Sequence, residues 1–182
     1  MLPYTILLAT FQALIASTSA QTPSGFNPSV ADQLQISYGA TAISTAGQMV
    51  ARPNTAQPPT INVPANSTMP TGKALLVMVD LDVPRQNTRV TNLHWLAPNV
   101  DVSQAQAVVP DTTTAKYLQP SPPKGDTAHR YVFLMYAQQA NFSVPAQFSN
   151  VQASRIGFDV NAFATASGLG APVAANFIMV MQ

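Results

Sequence analysis

The sequence predicts a mainly β domain built on a largely antiparallel sheet. Three observations carry this expectation. Apolar residues fall in short, separated runs rather than in long amphipathic stretches. Sixteen prolines and eight glycines punctuate the chain, which favours short elements joined by turns. Only one segment carries both a helix start and a helix stop. With 182 residues, 47% of them hydrophobic, the chain is long enough for one domain with a real core. Only 8% of residues are charged, against ~25% in typical soluble proteins. High apolar content and a net charge of +1 exclude a disordered chain. The eight Lys and Arg are scattered singly, so no basic stripe exists to displace counterions from nucleic acid. Cysteine is absent, which removes disulfides and thiolate chemistry, and all seven acids are Asp.

The elements follow in order. Ile6 to Ala16 is an apolar run that leads into Ser17-Thr18-Ser19-Ala20, small residues suited to leader cleavage. It is far short of the ~20 residues of a membrane span, so residues 1–20 are expected to be a signal peptide and residues 21–182 a single secreted domain. Asn66 and Asn141 open sequons and are the expected glycosylation sites. Leu34, Ile36 and Tyr38 alternate with Gln35 and Ser37, the pattern of a half-buried strand that Gly39 ends. Residues 50–72, rich in Pro, Asn, Thr and Gln, read as a long surface excursion. Residues 74–79, 131–136 and 173–181 are continuous apolar runs and read as strands covered on both faces, with a shorter strand over residues 93–96. Asp159 is the expected N-cap of one helix over residues 160–167, stopped by Gly168 or Gly170.

Polar chemistry gathers where these runs end. Asp80 and Asp82 follow one strand, and Pro84 is expected to turn the chain. His94 lies inside another strand, and His129 with Arg130 opens a third. Polar groups beside a core need partners. One reading is internal pairing, each acid with an arginine or histidine, with Arg85 and Arg130 as the arginine candidates. The other is a small polar pocket in which histidine, tyrosine and backbone N–H groups hold an oxyanion. Binding to such a pocket is expected to weaken as pH rises through the histidine titration. No HExxH or His-x-His spacing points to zinc, no Gly-x-Ser-x-Gly elbow to a serine hydrolase, and no Walker loop to a nucleotide. Neither a catalytic residue nor a cofactor is expected.

Several motifs occur in one order: Asp80-Leu81-Asp82-Val83-Pro84, His94-Trp95-Leu96, Tyr117, Pro122-Pro123-Lys124-Gly125, His129-Arg130-Tyr131-Val132-Phe133 and Ala171-Pro172-Val173-Ala174-Ala175-Asn176-Phe177. In this order the chain, from about Leu34 to its end, resembles the phosphatidylethanolamine-binding protein family, which includes the Raf-kinase-inhibitor and flowering-regulator proteins. The resemblance implies an antiparallel β-sandwich with a large central sheet and one or two short helices. It also implies an anion pocket for phosphoryl headgroups and other small oxyanions. By motif position the pocket residues are Asp80, Asp82, Pro84, His94, Pro122, Gly125, His129 and Tyr131. The implied partners are a phosphoryl or carboxylate anion, such as a phospholipid headgroup, and, through the segment over residues 50–72, a peptidase, since some members inhibit serine carboxypeptidases. Leu81 stands where the family usually has Pro, and Trp95 follows the histidine rather than preceding it.

Overall fold

The computed structural model describes residues 19–64, 69 and 72–182. The apolar run of the expected leader and the Asn66 sequon lie outside the described residues. The described chain is mainly β. In order it forms β1 (Gln35–Tyr38), β2 (Thr41–Ala42), β3 (Gln48–Met49), β4 (Thr60–Asn62), β5 (Lys73–Arg85), β6 (Thr88–Asp101), β7 (His129–Ala137), α1 (Val160–Ala166) and β8 (Ala174–Val180). Short 3-10 helices occupy Arg52–Thr55 and Ala146–Phe148. A five-stranded sheet runs in the order β3-β8-β7-β5-β6, and a three-stranded sheet runs β2-β1-β4. All pairs are antiparallel except β3 with β8.

The continuous apolar runs have a direct cause, because both faces of the large sheet are buried. Along β5, Ala74, Leu76 and Met78 share a core with Ile36 and Tyr38 of β1 and Ile61 of β4. Leu75, Val77 and Val79 face the other way, onto Phe158, Val160 and Phe163. Alternation of side chains across a strand then demands apolar residues at every position. The helix on the second face starts as its sequence requires: the Asp159 carboxylate accepts hydrogen bonds from the N–H groups of Asn161 and Ala162.

Two expectations are corrected. The stretch over residues 50–72 is not wholly a surface excursion, because it contains β4, whose Ile61 is 1% exposed and pairs with Ile36 of β1. Pro84 does not turn the chain. It lies within β5 opposite Arg89, and the hairpin turns at Gln86, which adopts φ 52°. Proline is tolerated there because β7 has left β5 after Asp80, so no neighbour on that side needs its missing N–H. The expected strand over residues 93–96 is the middle of a 14-residue strand, β6.

The β5–β6 hairpin carries two irregularities that shape the site. Met78 and Val79 face Trp95 and Leu93, so one step on β5 matches two on β6 and His94 is the extra residue. Asp80 and Val83 face Asn92 and Val90, so β5 carries an extra residue between them. Each is a bulge, a device that re-aims side chains.

Candidate functional site

Register places the first groups. Asp80 pairs with Asn92 of β6 on one side and with Tyr131 of β7 on the other, so three polar side chains lie in one row across the sheet. His129, two residues before Tyr131, shares its face by the period of the strand. The bulge at His94 puts its ring on this same face, edge-on to Tyr131 with ring centroids 5.0 Å apart. Leu93 and Leu96 keep to the opposite core. The segment over residues 118–123 crosses above, and the result is a cavity of about 310 Å3. Asp80, Asn92, His94, His129 and Tyr131 meet there, with Val83, Pro84, Leu118, Gln119, Ser121 and Pro123 as walls.

The charges are arranged as a compensated chain. Asp80 Oδ2 lies 2.8 Å from His129 Nδ1, and Asp126 Oδ2 lies 3.0 Å from His129 Nε2. Both ring nitrogens thus face carboxylates, which only accept, so His129 is an imidazolium donating twice. Burial alone would lower its pKa, but the hydrogen bonds to Asp80 and Asp126 outweigh that and raise it. Asp126 also accepts a bidentate pair from Arg89 at 2.6 and 2.7 Å, and these bonds hold its carboxyl far below the usual range. Asp82 is taken by Arg130, whose backbone N–H and guanidinium both donate to it. Burial would raise Asp82's pKa, and the Arg130 bonds more than reverse this.

His94 differs from His129. Its Nδ1 lies 2.8 Å from the Leu118 carbonyl, so Nδ1 carries the proton. Its Nε2 then accepts from the Asn92 amide at 3.1 Å, with Asp80 Oδ2 at 4.0 Å. Burial lowers its pKa despite the Leu118 carbonyl and Asp80, so the ring is neutral near pH 7. The Tyr131 hydroxyl is buried beside Asp80 without a well-formed hydrogen bond. Burial first, and the Asp80 charge second, push its pKa well above the ordinary tyrosine value, so it remains a donor.

Five of the expected residues line this cavity: Asp80, Pro84, His94, His129 and Tyr131. Asp82, Pro122 and Gly125 do not. The bulge between Asp80 and Val83 leaves Asp82 on Arg130, the arginine pairing that the sequence offered as an alternative, whereas Asp80 pairs with histidine. Pro122 is buried but is not among the lining residues, to which its neighbour Pro123 belongs. Gly125 has φ +83° in a turn closed by Asp126 N–H on Pro123 O at 3.1 Å, and its role is to deliver Asp126 to His129. Asp126 and Asn92 escaped the sequence reading. An acid three residues before a histidine, in a chain with seven acids, was the available signal for the first.

The described residues thus form a β domain whose central strands carry a charge-compensated polar cavity. The chain belongs to the phosphatidylethanolamine-binding protein family, whose family model matches residues 26–178. It is 32% identical to phomoidride biosynthesis cluster protein N of Talaromyces stipitatus, over 96% of this chain and 98% of that protein. It is 37% identical to a 26 kDa secreted antigen of Toxocara canis, over 59% of this chain and 42% of the antigen. Among solved structures, carboxypeptidase Y inhibitor, in complex with its cognate proteinase, matches with a TM-score of 0.64 at 22% identity, covering 85% of each chain.

Proposed function

We propose that this is a secreted, non-catalytic protein that captures a small phosphoryl or carboxylate anion, such as a phospholipid headgroup, in the histidine cavity. The observation that carries the reading is the Tyr131 hydroxyl, a buried donor without a well-formed hydrogen bond on a cavity wall. An unmade buried hydrogen bond costs about 1–3 kcal/mol, which an oxyanion oxygen recovers. Protonation of His94 at Nε2 supplies a second donor and a charge. The stacking of the small sheet on the large one, through their shared core, supports the β-sandwich that the family resemblance implies.

Catalysis is disfavoured by the hydrogen bonding. Both nitrogens of His129 are committed to carboxylates, and Nδ1 of His94 to a carbonyl. The Ser121 hydroxyl accepts from Arg52 at 3.3 Å and is bonded to neither histidine among the described residues. Secretion rests on the leader over residues 1–20 and is expected to give a mature N-terminus at or near Gln21 by mass spectrometry. Asn141 is exposed in a turn after β7, open to a glycan, and Asn66 is the second proposed acceptor. Among the described residues no helix is long and apolar enough to cross a membrane.

The test is Tyr131→Phe. A hydrogen bond to a charged group is worth about 1.5–3 kcal/mol, so calorimetry with phosphoethanolamine should show affinity falling at least tenfold. The variant's thermal midpoint should stay level or rise, because the lost hydroxyl made no good bond. Unchanged affinity would contradict the proposal. A second reading, inhibition of an extracellular peptidase, is favoured by the fold match to carboxypeptidase Y inhibitor and by the exposed Pro53, Gln57 and Pro58. The same variant separates the two readings, since it should leave any inhibition of carboxypeptidase Y intact.

A further inference from the structure

A larger cavity, about 550 Å3, lies apart from the charged chain and contains none of the residues assigned to anion capture. It owes its floor to the same bulge. With His94 inserted, the rings of His94 and Trp95 both fall on the small-sheet face, His94 lining one cavity and Trp95 the other. Trp95 is 4% exposed and meets Tyr117 edge-to-face, with ring centroids 5.4 Å apart. Tyr117 is fixed in turn, because its hydroxyl donates to the Thr55 carbonyl at 2.8 Å and lies 3.2 Å from the Tyr38 hydroxyl. Ile61 and Pro59 form the opposite side, and the Ala107 N–H on the Ile61 carbonyl at 2.9 Å ties that side together. A preformed concavity of this size, lined about equally by apolar and polar groups, has room for a small molecule with both an apolar body and a polar end.

Three of its polar groups stand ready for a ligand. Thr113 lines the cavity, and its hydroxyl oxygen is buried without a partner. Lys116 and Asp111 also line it, and neither side chain forms an ion pair among the described residues. Arg155 is not part of the lining, but its guanidinium donates to the Lys116 backbone carbonyl at 2.9 Å and, among the described residues, bonds only carbonyl and amide oxygens. Two cations thus stand on the Lys116 side against one acid, Asp111.

We propose that this cavity is a second binding site, for a small apolar monocarboxylic acid. The apolar body packs on Trp95, Tyr117, Ile61 and Pro59, an oxygen of the ligand takes the Thr113 hydroxyl, and the carboxylate lies on Lys116. The site does not depend on anion capture at the histidines.

The chain contains one tryptophan, Trp95, so its fluorescence reports on this cavity. The protein is titrated with 4-phenylbutyrate, with its uncharged amide and with 4-phenylbutylamine. The acid should give a saturable change in emission, and the amide should bind about fivefold more weakly, the upper end for an exposed ion pair. Lys116→Ala should cost the acid the same factor and leave the amide unaffected. Thr113→Val should weaken the acid several-fold while leaving the thermal midpoint level or higher, the opposite of what a structural threonine shows. Saturating phosphoethanolamine should not displace the acid. No saturable signal at millimolar acid, displacement by phosphoethanolamine, or preference for the amine with loss in Asp111→Asn would each overturn the proposal.

Discussion

Asp80→Ala is expected to lower the thermal midpoint of the protein by roughly 10 °C. Asp80 is 3% exposed and His129 1%, so the substitution strands a buried N–H and leaves the buried imidazolium with Asp126 as its one remaining carboxylate. Removing one partner of a buried ion pair costs about 3–5 kcal/mol, and a domain of this size loses about 2–4 °C per kcal/mol. The Asp82 N–H loses its acceptor as well, because it donates to Asp80 Oδ1 at 2.8 Å. The effect has a definite dependence on pH. The pKa of His129 is raised in the folded state, so its pairing contributes fully below the ordinary histidine value. That contribution is lost as pH rises through the raised folded value. Thermal melts should show the widest gap between wild type and variant in mildly acid solution. The gap should narrow in alkaline solution to the part owed to the Asp82 N–H. An equal gap at both ends would contradict an imidazolium at His129.

The second large effect is the pH dependence of anion capture. At sequence level both histidines are candidates to attract the anion. The structure separates them: the charge of His129 is already matched by Asp80 and Asp126, and the titrating group is His94. Burial holds the pKa of His94 below its usual value, so in the free protein the ring takes up its proton only below the ordinary histidine range, and some stability is lost as pH falls through that range. An oxyanion beside Nε2 supplies the missing counter-charge, once the Asn92 amide that now donates there turns away. Affinity should therefore be flat above neutrality, rise as pH falls by at most about tenfold per unit, the limit for uptake of one proton, and level off below the depressed pKa of the free ring. Calorimetry of phosphoethanolamine binding across this range checks the slope, and His94→Gln should flatten it.

Much of this arrangement is legible in the residues. The alternation of Leu34, Ile36 and Tyr38, the unbroken runs of β5, β7 and β8, and the cap at Asp159 each follow from local pattern. The end of the apolar run at Val79 marks Asp80, and the start of the run at Tyr131 marks His129, but β5 itself continues to Arg85, so Asp80 and Asp82 lie inside the strand and not after it. The bulges are not legible, because register is a property of two strands and the sequence of one does not state it. Without the bulge after Asp80, Asp82 counts as a pocket acid. Without the bulge at His94, Trp95 belongs to the opposite face and the second cavity has no floor. β4 is three residues long within a Pro-rich stretch, too short for its periodicity to register. Asp126 is three residues from His129 in sequence, but only the Gly125 turn makes them partners.

The most direct measurement is the titration of the His94 ring by NMR, with and without saturating phosphoethanolamine. Binding that favours the protonated ring must raise the ring's pKa by the same coupling, since linkage is reciprocal. An anion held at Tyr131 and His94 predicts a His94 pKa below the ordinary histidine value in the free protein and a clear upward shift when the ligand is bound, with His129 unmoved. Superimposable His94 curves under saturating ligand would contradict the account.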